Sequence, residues 1–76
     1  MTVDALVRMA NQIAANQAHR PDDEATTTVA EHLRMYWAPS MRRDLVAAVD
    51  AGQADLVPVA RAAVDQLRDP APSPTP

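Results

Sequence analysis

Val29-Ala30-Glu31-His32-Leu33-Arg34-Met35-Tyr36-Trp37-Ala38-Pro39-Ser40-Met41-Arg42-Arg43 contains the single Tyr and the single Trp of the chain. Before the proline, Val29, Leu33, Tyr36 and Trp37 recur at helical spacing, with His32 beside the stripe. Pro39 ends that helix, because proline disfavours helical backbone at the residue before it. After the break the period resumes: Met41, Leu45, Ala48 and Val49 fall on one face of a helix expected from about Ser40 to Ala51. Gly52, the only glycine, follows where a left-handed cap requires one. A helix, a proline break and a second helix make the fold class all-α.

Upstream, Asp22, Asp23 and Glu24 form an acidic first turn that opens the helix before Pro39. Thr26, Thr27 and Thr28 then each cost some tenths of a kcal/mol in helix, roughly. The first helix is expected from about Val3 to Ala18, with Thr2 as cap and Asp4 in the first turn. Its apolar stripe is Leu6, Met9, Ala10, Ile13 and Ala14, and His19-Arg20-Pro21 ends it. A fourth helix is expected after Asp55 as N-cap, with Pro58 third in it, where its missing N–H goes unneeded. Its stripe is Leu56, Ala60, Ala63, Val64 and Leu67. Residues 1–68 thus read as one small bundle of about four short helices. Short connections predict that successive helices pack as hairpins. Residues 69–76, Asp-Pro-Ala-Pro-Ser-Pro-Thr-Pro, read as an extended or disordered Pro-rich tail.

A chain of 76 residues is near the lower limit for an independent core. Such a core rarely supplies more than about 3–5 kcal/mol without disulfides, metals or partners. The chain has no Cys, which excludes disulfides, thiolate zinc and Cys-ligated iron–sulfur clusters. Phe is absent and Ala is abundant, so helices form readily over a thin core. Of the usual supports, a protein partner remains. A net charge of −3 offers no basic stripe for nucleic acid. No apolar run approaches the roughly 20 residues of a membrane span. The start Met-Thr-Val-Asp lacks a cationic segment and an apolar one, so the expected location is cytoplasmic.

The motifs of small-molecule chemistry are missing. With one glycine, neither a phosphate loop nor a dinucleotide fingerprint can be built. His19 and His32 sit on different elements, outside any metal-ligand spacing. His32 reads as a core-edge or interface histidine bonded to a backbone carbonyl. The residues around Pro39 are of the types enriched at protein interfaces. The expected partner-facing set is His32, Arg34, Tyr36, Trp37, Met41, Arg42 and Arg43. Trp37 and Tyr36 would be anchors, Met41 an adaptable contact, and the arginines ion-pair partners. Arg42 and Arg43 fall in the first turn of a helix, where the dipole disfavours cations, and a partner's anion would offset that cost. The bland alternative is that the aromatics close the core and the arginines are solvated. Two other readings are a stand-alone, homodimeric interaction module and a small enzyme using clustered arginines. The latter predicts a polar pocket lined by Arg and Glu.

Three stretches carry a resemblance. They are Leu6-Val7-Arg8-Met9-Ala10-Asn11-Gln12-Ile13-Ala14; Ala30-Glu31-His32-Leu33-Arg34 continuing through Tyr36-Trp37, Pro39 and Met41-Arg42; and Val49-Asp50-Ala51-Gly52 with Leu56, Pro58 and Arg61. In this order and spacing, over about residues 3 to 68, the chain resembles the delta subunits of NAD-dependent molybdenum- or tungsten-containing formate dehydrogenases. The resemblance implies a non-catalytic accessory subunit, without a cofactor of its own, of a complex that oxidises formate and reduces NAD. The alpha subunit would hold molybdopterin guanine dinucleotide and iron–sulfur clusters. The beta subunit would hold FMN and bind NAD, and the gamma subunit would add an iron–sulfur cluster. Two positions depart from the family: an acid is usual where this chain has Ala38, and a base where it has Ser40. Ser40 is therefore expected to take over capping of the third helix, shifting its start.

Overall fold

The computed structural model describes residues 2–68. They form α1 (Val3–Asn16), α2 (Asp22–Tyr36), α3 (Pro39–Asp50) and α4 (Pro58–Arg68), with no strand among the described residues. The fold class is all-α, as the periodicity predicts. The Pro-rich tail from residue 69 lies outside the described residues.

Local chemistry sets most helix ends. The Thr2 hydroxyl accepts from the Ala5 N–H at 3.2 Å and caps α1. α1 stops at Asn16, two residues earlier than expected. The N–H groups of Gln17 and Ala18 donate to Ala14 and Ala15, which tightens the chain into turns before Pro21. α3 closes in a Schellman motif. Gln53 N–H donates to the Ala48 carbonyl at 2.8 Å and Gly52 N–H to Val49 at 3.1 Å. Gly52 has φ +71°, the left-handed backbone that its missing Cβ permits.

Two capping expectations are corrected. α3 starts at Pro39 with Ala38 as N-cap and no side-chain cap; Ser40 does not take over. Proline at the first helical position, with φ already set, holds the start in place. α4 starts at Pro58, not after Asp55. Pro58 is again the first helical residue, and the Val57 carbonyl accepts from Arg61 N–H at 2.9 Å. Asp55 instead lies in the connecting segment.

The core joins all four helices and the segment before α4. Leu6, Val29, Leu33, Leu45 and Val64 are its largest fully buried side chains, and alanine makes up more than half of the buried apolar residues. The core is thin, as composition predicts. The hairpin expectation does not hold: α2 packs most extensively on α4, its non-neighbour in sequence, and less on α1 and α3. Both facing stripes are rich in alanine (Ala25 and Ala30 on α2; Ala60 and Ala63 on α4), all buried. Small side chains let helix axes approach closely. The threonine triplet stays helical because Thr26 is buried with that stripe while Thr27 faces out. Tertiary packing here outweighs propensity.

Candidate functional site

The residues expected to face a partner converge on the corner between α2 and α3, where they divide into two sets. Trp37 caps the C-terminus of α2 with extended backbone (φ −90°, ψ 141°). That bend turns its ring inward, and Trp37 is only 6 % exposed, within the core. It is therefore not available as an exposed anchor, and this expectation is revised. Arg42 reaches back from the first turn of α3. Its Nη1 donates to the carbonyls of Trp37 (2.7 Å), Arg34 (3.0 Å) and Leu33 (3.2 Å). These are carbonyls at the end of a helix, where the dipole favours a cation. The anion expected from a partner is supplied within the chain, by the negative pole of α2.

The other set faces out. Tyr36 is 70 % exposed and Met35 72 %. Tyr36 thus leaves the apolar stripe in which the sequence places it. His32 is half-buried one turn earlier, its ring 4.8 Å from that of Tyr36 and tilted by 48°. It makes this ring contact and, among the described residues, not the expected bond to a carbonyl. Met41 is half-buried and packs on the core, so only part of it remains for any partner. Arg43 is exposed, with no hydrogen bond or ion pair among the described residues.

Arg34, on the last turn of α2, donates through Nη2 to the Gln66 carbonyl at 2.6 Å. It caps the end of α4 as Arg42 caps the end of α2. Arg68 pairs with Asp50 at the end of α3 and with Asp65 at 3.3 Å. The hydrogen bond to Asp50 raises its pKa above the usual arginine range, so it stays charged at any working pH. The part of this stabilisation that is linked to the guanidinium is present below that range and is lost in strong alkali. Between α3 and α4 lies an open groove of about 410 Å³, lined by Arg42, Arg43, Arg68 and Asp50 over apolar side chains including Val46 and Leu67. It contains no Glu, and its one acid is paired with Arg68. The surface that does combine Arg with Glu, at Arg20, Glu24 and Glu31, runs along α2 and the turn before it and holds one arginine, where the arginine-enzyme reading expects a cluster between helices.

Asn11 has a role that the sequence pattern does not announce. Its side-chain amide donates to the Asp55 carbonyl at 3.0 Å and accepts from the Val57 N–H at 2.9 Å. The amide acts as a peptide group would and ties the segment before α4 to α1. The available signal is an asparagine in the middle of a helix, flanked by the apolar stripe at Ala10 and Ala14.

Together these features define a class: a small helical bundle whose polar side chains close its own helix ends, leaving an aromatic–methionine patch and a free arginine outside. The chain has no Cys, and no three His, Asp or Glu gather as metal ligands among the described residues. The family model of the NADH-dependent formate dehydrogenase delta subunit, FdsD, matches residues 5–64, and the chain belongs to that family. No curated protein and no solved structure matches it.

Proposed function

We propose that the chain is a non-catalytic delta subunit that docks on the molybdopterin-containing alpha subunit of a multi-subunit, cytoplasmic NAD-dependent formate dehydrogenase and supports its assembly or stability. Beta and gamma subunits would complete the complex, and this chain would bind no cofactor itself. Membership of the family supports the complex. The observation that supports docking is the outward placement of Tyr36 and Met35 beside His32. Single exposed apolar residues are ordinary; here two large ones flank His32, and Tyr and Met are types enriched at protein interfaces. A chain this poor in large apolar residues has placed its only tyrosine outside a thin core.

The test is affinity purification of the tagged full chain from its own host. Elution with a large molybdopterin subunit and formate-dependent NAD reduction supports the proposal. Elution alone, with sedimentation showing a dimer at micromolar concentration, overturns it in favour of a stand-alone homodimeric module. No helix among the described residues is long and apolar enough to cross a membrane.

A further inference from the structure

The groove between α3 and α4 brings three guanidinium groups to one concave surface, against a single carboxylate. The three differ in what they have left to give. Arg68 is neutralised by Asp50 and Asp65. Arg42 is held by backbone carbonyls at the negative end of α2, which orient the guanidinium and offset part of its charge. Arg43 is exposed and has no acid partner among the described residues. The groove is therefore electropositive on a chain whose net charge is −3. Its floor is different: Val46 and Leu67 are half-buried and apolar.

A free inorganic anion would pair with the arginines but leave that floor wet. A purely apolar segment would cover the floor but bury unpaired charge, which is costly. The occupant that satisfies both presents a carboxylate close to an apolar side chain. Arginine's planar fork suits a carboxylate, and Arg43 is free to supply two donors to one.

We propose that this groove receives a segment of a partner subunit in which an Asp or Glu adjoins an aliphatic residue, the carboxylate pairing with Arg43 beside Arg42 and the aliphatic side chain lying on Val46 and Leu67. The inference rests on the docking reading above and names a second contact surface for it. Arg42 joins the two surfaces, since it lines the groove and holds the end of α2.

The experiment uses the tagged full chain co-produced with the other formate dehydrogenase subunits. Arg43→Glu should lower retention of the alpha subunit about tenfold at low ionic strength and less at high salt. Arg43 is the fifth residue of α3, exposed and without a hydrogen bond or ion pair among the described residues, so unfolding would not explain the loss. Retention equal to that of the unmodified chain overturns the inference. Arg43→Lys then gives the chain its only lysine, since the sequence has none. Carbodiimide treatment of that complex, followed by mass spectrometry, should find the introduced amine joined to an Asp or Glu of another subunit with an aliphatic neighbour. A link from that amine to Asp69 alone would mean that the chain's own tail fills the groove, and this overturns the proposal, as does the absence of any link between subunits. If the unmodified chain brings down no alpha subunit, the docking reading itself has failed, which is a different outcome from an intact complex insensitive to residue 43.

Discussion

Trp37 and Tyr36 are neighbours in the chain and lie on opposite sides of the fold; a few residues later Arg42 and Arg43 repeat the contrast. Trp37 and Arg42 face inward, one in the core and one on three backbone carbonyls. Tyr36 and Arg43 face out with no polar partner among the described residues. Residue type does not separate the pairs. Backbone direction does: the chain leaves helix at Trp37, and the re-entry at Pro39 aims Arg42 back at the helix just ended. A short segment can therefore stabilise the bundle with one set of residues and offer the other to a partner.

The contrast can be broken most severely at Trp37. Trp37→Ala removes a core side chain worth about 3–5 kcal/mol, comparable to all that a core of this size supplies. The isolated variant should lose its cooperative far-UV melting transition; a melt within a few degrees of the unmodified chain would mean that the indole is dispensable to the core. Tyr36→Ala should do the reverse. Its melt should stay within about 0.5 kcal/mol of the parent, while affinity for the alpha subunit falls by about 2 kcal/mol, roughly thirtyfold. Equal recovery of the complex would remove Tyr36 from the interface.

Arg42→Met keeps much of the aliphatic stem but deprives the partly buried Trp37 carbonyl of its donor, while the Leu33 carbonyl keeps the Trp37 N–H. Urea unfolding of the isolated chain should show a loss of about 1.5–3 kcal/mol, and an unchanged midpoint would show that water replaces the guanidinium without cost. The smallest effect expected is a gain. Ala38→Asp places a capping carboxylate ahead of Pro39 and should raise stability by about 1 kcal/mol. No gain would indicate that the start of α3 is already satisfied by solvent.

Punctuation makes the fold legible in the sequence. Prolines at 21, 39 and 58 and the glycine at 52 all stand at helix ends. The pairing of helices is not legible, because every stripe is apolar and all four helices bury alanine, so composition does not select a partner for α2. The candidate site is half legible. Interface-type residues can be located, but a four-residue stripe drawn through Val29, Leu33, Tyr36 and Trp37 is wider than the face that is buried. Tyr36 falls outside it, and Trp37 enters only because it is no longer helical. Arg42, in the first turn of α3, reads in the sequence as a cation that needs an anionic partner. The angle between α2 and α3, which a linear reading lacks, shows that for Arg42 the partner is a helix end.

The Asn11 amide grips the backbone at Asp55 and Val57, and α2 finds its principal neighbour in α4. Both closures join distant parts of the chain, 44 residues apart for Asn11 and Asp55 and 32 for Arg34 and Gln66. During synthesis, the ribosome must release the segment up to Arg68 before α2 can cover its apolar face. The first three helices would wait in solution with that seam open, and the bundle would shut in one late step. A message broken before α4 should yield a chain for the proteases, with no partial subunit able to dock.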